Sequence, residues 1–160
     1  RALAHLMAAR DCRLVLAGGD GYGAEEIRDL IHREGMQDRV RFLGHVGHDV
    51  LRLLYSAAIA LVFPSFEEAF GLPILEAMSY GLPVITSNVT AMPEVAGDAA
   101  LLVDPNSVDQ IREAMRRLLE DDALSRELNE KGRRRAAQFT WDECAQKTWA
   151  VYQELLRDDS

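Results

Sequence analysis

Short apolar runs of four or five residues recur along this chain, each separated from the next by a stretch with helical spacing. The runs at 13–17, 40–43, 59–63, 83–86 and 100–103 show no alternation of apolar and polar positions. A strand without that alternation is apolar on both faces, so both faces must be covered. The stretches at 24–34, 50–56 and 71–80, with a short turn opened by Pro93, supply the covering helices. The pattern predicts an α/β fold with a doubly wound, Rossmann-like parallel sheet.

After Pro105 the pattern is purely helical. Ser107 with Gln110, and Thr140 with Glu143, have the spacing of capping boxes. Between them one polar helix is expected, ending in Arg133, Arg134 and Arg135. The last helix carries Trp141, Ala145, Trp149, Tyr152 and Leu156 at three- or four-residue steps. The 160 residues suffice for one domain with a real core, the sheet in 1–105 and the helices in 106–160. The chain starts without Met, inside a helical pattern that puts Leu3, Leu6 and Met7 on one face. It is expected to be an excised piece of a longer polypeptide.

Composition excludes several functions. Apolar residues make up 48% and charged residues 28%, which suits a globular chain rather than a disordered one. The net charge of −8 argues against a duplex nucleic-acid binder, which needs a basic face against phosphates. No apolar run approaches the roughly 18 residues of a membrane span. Cys12 and Cys144 stand far apart without a Cys/His cluster and read as separate thiols, so a cytoplasmic location is expected. His45 and His48 read as a loop pair, since two ligands without a third make no metal site. Arg133 to Arg135 read as a solvated helix face, with a peripheral contact to an anionic membrane as the alternative.

Two motifs carry chemistry. From Gly18 and Gly19 to Ala24 the chain is glycine-rich, between a strand and a helix, which is the context of a dinucleotide fingerprint. The next strand ends in Gly44 and His45 without the acid that would hold a ribose, and Glu25 and Glu26 occupy the first helical turn. A tight turn bordering a cleft is the expectation, ahead of a minor phosphate contact or a dinucleotide site. The second motif is more specific. Glu68 and Glu76 flank Phe70, Gly71, Leu72 and Pro73 where a strand passes into a helix. Glu68 falls in the loop at the carboxyl end of the strand, where ligands bind in such sheets. Gly71 permits close backbone approach, and the helix start at Leu72 to Ile74 offers amides and a positive dipole end to a phosphate. Glu76, as an anion, accepts hydrogen bonds from hydroxyls. Hydroxyl acceptor, phosphate cradle, hydroxyl acceptor is the order a nucleoside diphosphate sugar requires. A solvated loop glutamate with an ordinary helix glutamate fits the spacing equally well. Between Arg52 and Arg112 there is no Lys or Arg, so a diphosphate there would need a cation from elsewhere.

From Glu68 to Glu76 the chain resembles the retaining glycosyltransferases of family 4, group 1 type, with the GT-B fold, whose signature is Glu, seven residues, Glu. The likeness extends over Val40–Val46, Val62–Ser65, Glu76–Val84, Pro93–Asp98, Val103–Pro105 and Phe139–Trp141, nearly the whole chain. It implies a carboxyl-terminal domain that binds a nucleotide-sugar donor for glycosyl transfer with retention and without a metal requirement. By position, Glu68 with the amides of Phe70, Gly71 and Leu72 would hold the transferred sugar and the distal phosphate. Glu76 would hold the ribose hydroxyls, Val46 would meet the base through its backbone, and Gly18 and Gly19 would border the diphosphate. No further cofactor is implied, and GDP-mannose is the first guess for the donor. The resemblance implies an N-terminal acceptor domain as the partner of the final helix, and an inactive fragment without it. No catalytic residue is assigned to this chain. It also implies a central strand, upstream in the family, between the strands at Leu14 and Ile59. Those two strands are expected to flank a gap with buried, unpaired backbone groups, leaving the fragment marginally stable. A GT-B sugar-nucleotide isomerase and a non-catalytic nucleotide-binding module are the alternatives. A phosphorylase is disfavoured because Lys131 and Lys147 lie in late helices.

Overall fold

A computed structural model of the chain describes residues 2, 6, 12–21 and 23–158. Leu3 and Met7 of the expected first helix, and Tyr22 of the glycine loop, lie outside the described residues. In chain order the elements are β1 (Leu14–Ala17), α1 (Ala24–Arg33), β2 (Val40–Gly44), α2 (His48–Ala57), β3 (Leu61–Phe63), α3 (Leu72–Ser79), β4 (Val84–Ser87), α4 (Met92–Ala96), β5 (Ala100–Val103), α5 (Val108–Glu120), α6 (Asp122–Ala136) and α7 (Trp141–Asp158). The alternation expected from the apolar runs is present, and every strand pairing is parallel.

The sheet comes in two pieces. β1 pairs with β2, and β3, β4 and β5 form a second ladder in that order. β1 and β3 are not paired with each other, as expected. Neither contains a fully buried residue, and Val15 and Ile59 are exposed. The residues of both strands are thus only partly covered among the described residues. Strand β3 also starts two residues later than its apolar run, leaving Ile59 outside the ladder.

The core is built around β4, all four of whose residues are buried. Successive side chains of a strand point to opposite faces, and β4 feeds two clusters. Val84 packs with Ile74, Ala77 and Met78 of α3, Met92, Val95 and Ala96 of α4, and Tyr55 of α2. Ile85 packs on the other side with Ala114 and Leu118 of α5 and Leu128 of α6. A third, smaller cluster holds Met36 and Val40 against Cys12, Leu14, Leu16 and Ile31.

The helical tail departs from its expected form in two ways. The single polar helix is broken at Asp121, which ends α5 and whose side chain accepts from the Leu124 amide (2.9 Å) to start α6. A carboxylate at an N-cap satisfies one of the free amides of a new helix. Both expected caps are present: Ser107 Oγ accepts from the Gln110 amide, and Thr140 Oγ1 from the Glu143 amide. Second, the arginine run is not simply a solvated face. Arg133 donates to the carbonyl oxygens of Ser79 (3.4 Å) and Tyr80 (2.8 Å) at the end of α3. Arg135 donates to the carbonyl oxygens of Glu94 (2.5 Å) and Val95 (3.0 Å) in α4 and stacks over Phe139. The last carbonyls of a helix lack partners within it, and a guanidinium satisfies several at once. Gly132 lets α6 approach α3: a Cβ there would stand 3.2 Å from Met78 Cγ. α7 keeps its aromatic stripe exposed, with Trp141, Trp149, Tyr152 and Leu156 all open to solvent. Among the described residues no helix is long and apolar enough to cross a membrane.

Candidate functional site

The loop after β3 is fixed from below by two buried hydroxyls of β4. Thr86 Oγ1 donates to the Phe63 carbonyl (3.0 Å), and Ser87 Oγ to the Ser65 carbonyl (2.6 Å). Ser65 in turn donates through Oγ to Glu68 Oε1 and to the Glu67 carbonyl, each at 3.2 Å. The half-buried Glu68 is thus aimed by a neutral hydroxyl. A charge-assisted bond of this kind orients a carboxylate without neutralising it.

Gly71 then turns the chain into α3. Its φ of 94° lies in the left-handed region, and a Cβ there would meet Ile74 Cδ1 at 3.1 Å. Pro73 has no N–H, and the Ile74 amide is spent on the Gly71 carbonyl (3.0 Å). The amides of Phe70, Gly71 and Leu72 have no acceptor among the described residues. The free donors therefore stand at the turn itself, rather than at Ile74. One turn into α3 lies Glu76, exposed, whose Oε2 accepts from the Tyr55 hydroxyl at 3.0 Å. Tyr55 is the buried residue of α2, and its ring stacks on that of Tyr80 with centroids 6.0 Å apart. Burial first, and then the Glu76 carboxylate, push the Tyr55 phenol well above its ordinary range. At neutral pH it is therefore a donor.

The other predicted residues stand on the β1–β2 piece. Gly18 and Gly19 follow β1, and the Gly18 amide donates to the Gly44 carbonyl at the end of β2 (2.8 Å). Both carboxylate oxygens of Asp20 beside them accept from Arg28 Nη2, at 2.8 and 2.9 Å. Glu25 and Glu26 sit exposed in the first turn of α1, as expected. Val46 is half-buried between β2 and α2. The structure thus brings Glu68, Phe70, Gly71, Leu72 and Glu76 together on one loop and helix. Gly18, Gly19 and Val46 lie on a separate piece. α2 links the two, since it follows Val46 and reaches Glu76 through Tyr55. Sequence reasoning missed Tyr55 and Ser65. The signal for Tyr55 was a hydroxyl-bearing aromatic at a helix position otherwise filled by leucines.

The expected shortage of positive charge has a spatial form. Arg133 and Arg135 spend their guanidinium groups on the carbonyls of Ser79, Tyr80, Glu94 and Val95. His48 opens α2 while His45 stays in the loop before it. No group of three or more His, Cys, Asp or Glu able to hold a metal is found among the described residues. Cys12 and Cys144 are free thiols.

The family model for glycosyl transferases group 1 matches residues 1–135. The O-antigen chain mannosyltransferase B of Escherichia coli is 44% identical over 142 residues, covering 89% of this chain and 37% of the relative. The MMP alpha-(1->4)-mannosyltransferase of Mycolicibacterium hassiacum is 36% identical over 160 residues, covering 97% and 38%. The chain therefore spans well under half the length of these relatives. Among solved structures, a sucrose-phosphate synthase from Thermosynechococcus elongatus superposes with a TM-score of 0.84 at 34% identity, over 98% of this chain and 42% of that one.

Proposed function

The chain belongs to the glycosyl transferases group 1 family, and from that premise we propose that it binds the nucleotide-sugar donor for glycosyl transfer with retention. The observation that carries the reading is the arrangement around Gly71. Two carboxylates, Glu68 and Glu76, stand on either side of a left-handed turn whose amides at Phe70, Gly71 and Leu72 are free among the described residues. A diphosphate accepts from those amides and from the positive end of α3. Each glutamate accepts from hydroxyls, Glu68 from the sugar and Glu76 from the ribose. Gly18 and Gly19 border the diphosphate, and the backbone near Val46 faces the base. Transfer further needs a cation against the diphosphate and an acceptor site, both supplied by other parts of the full-length protein. GDP-mannose is the donor to test first, since the relatives above are named mannosyltransferases.

Two substitutions in the full-length natural protein test the assignment. Glu76→Gln keeps the size and loses the charged acceptor. A hydrogen bond to a charged group contributes roughly 1.5–3 kcal/mol, so affinity for the nucleoside diphosphate should fall about ten- to a hundred-fold. Glu68→Ala should spare binding of the nucleoside diphosphate and suppress transfer from the intact donor. Unchanged nucleotide affinity in Glu76→Gln would remove Glu76 from the site, and equal losses for both ligands in Glu68→Ala would undo the division between sugar and ribose.

A further inference from the structure

We propose that Tyr55 is a positioning residue for nucleotide binding: its buried hydroxyl holds the Glu76 carboxylate in the one orientation that accepts the two ribose hydroxyls. The proposal rests on Glu76 being the ribose acceptor. Glu76 projects from an exposed position of α3, and a free glutamate there would sample several rotamers. Tyr55 removes that freedom. Its hydroxyl lies 3.0 Å from Oε2, while no hydrogen bond reaches Oε1 among the described residues. One lone pair of the carboxylate is taken and the rest face outward, ready for a vicinal diol.

The donor itself is held rigidly. Tyr55 is 8% exposed and packs among Leu51, Ile74 and Leu75. Its ring stacks on Tyr80, whose carbonyl Arg133 grips at 2.8 Å. The phenol is neutral and stays protonated, so it orients Glu76 without cancelling the charge that the ribose hydroxyls need. A lysine or arginine in its place would bind the carboxylate and compete for it. Ordering the acceptor before the ligand arrives removes that cost from binding. Tyr55 acts through Glu76, so its effect should appear only where ribose hydroxyls are present.

That selectivity is the test. In the full-length natural protein, GDP, UDP and ADP are titrated by calorimetry. The tightest of them is then compared with its 2′,3′-dideoxy counterpart in the wild type, Tyr55→Phe, Glu76→Gln and the double variant. Thermal melting is recorded on the same samples. Tyr55→Phe keeps the ring and its stack. It should weaken the ribonucleotide about three- to ten-fold, a modest coupling between neighbours, and leave the dideoxy affinity unchanged. In the Glu76→Gln background it should add no further loss. A wild type that does not prefer the ribonucleotide would overturn the ribose assignment of Glu76, and the proposal with it. A wild type that prefers it, with the preference intact in Tyr55→Phe, would overturn the proposal alone. Equal losses for both nucleotides, or a Tyr55→Phe that no longer folds, would make the bond a structural device and overturn it as well.

Discussion

β4 and β1 are both four-residue strands in parallel ladders, and β1 (Leu14–Ala17) is the more apolar of the two, since β4 ends in Thr86 and Ser87; yet every residue of β4 is buried and none of β1 is. The difference does not lie in their own side chains. β4 has a strand on each side, α3 and α4 on one face, and α5 and α6 on the other. Among the described residues, β1 has one neighbouring strand, and the buried members of its cluster are Met36 and Val40. An apolar run thus becomes core only to the extent that neighbours close over it, since burial on folding is what hydrophobic side chains contribute. For the site, the contrast separates a fixed part from a lightly held one. Glu68, Gly71 and Glu76 are braced by β4, Tyr55 and α6, while Gly18 and Gly19 rest on one thin pair of strands.

The comparison can be broken most directly by cutting matched side chains from the two regions. Met78 is fully buried against α6, and Met78→Ala should cost about 2–5 kcal/mol in urea denaturation. Met36→Ala should cost less than half as much, because its small cluster is open enough to relax. Equal costs would show that the β1–β2 piece is as tightly held as the rest. Glycines sharpen the same point. Gly71→Ala forces a side chain into a left-handed φ and against Ile74, a strain of about 1–3 kcal/mol, and should also weaken donor binding. Gly19→Ala meets open space at an ordinary φ and should shift stability by no more than about 0.5 kcal/mol.

Arginines give a smaller test. Arg133→Met loses the bonds to the Ser79 and Tyr80 carbonyls and should lower stability by about 0.5–1.5 kcal/mol. Arg28→Met breaks an exposed pair with Asp20 and should cost about 0–1 kcal/mol. The smallest effect concerns pH. The Lys131 ammonium, 3.1 Å from Asp98, holds that carboxyl below the ordinary aspartate range, first through its hydrogen bond and then through its charge. A lowered carboxyl favours the folded state above its ordinary value, and the contribution fades as pH falls through the lowered one. An NMR titration should find the Asp98 midpoint below that of free aspartate, and Lys131→Gln should raise it.

Much of this was legible in the sequence because it depends on neighbours along the chain. Apolar runs of four or five located all five strands, and the capping residues Ser107 and Thr140 start helices as read. The Glu68–Glu76 unit is local as well: strand, loop, left-handed glycine and helix follow one another without a gap. What escaped depends on distant residues. Tyr55 meets Glu76 across 21 positions, and nothing in the helix pattern of α2 says which neighbour its hydroxyl finds. The Arg133 and Arg135 contacts reach further still, across 53 and 41 positions, and a basic run on a polar helix looks solvated until the carbonyls it caps are known. Asp121 was read through as part of one helix because either use of an aspartate, as helix surface or as cap, satisfies the same polar pattern.

The capping of α3 by Arg133 has a consequence in time. The carbonyl of Tyr80 and the guanidinium that grips it are separated by 53 residues of chain. A ribosome adding about 5–20 residues per second needs roughly 3–10 s to cover that length. For that interval α3 exists with its last carbonyls open to water, and Gly132 has not yet brought α6 against Met78. The turn at Gly18 and Gly19, by contrast, finds its partner Gly44 at the end of the very next strand. The half of the site that ends as the firmer is therefore the later to be finished during synthesis, since it waits on α6.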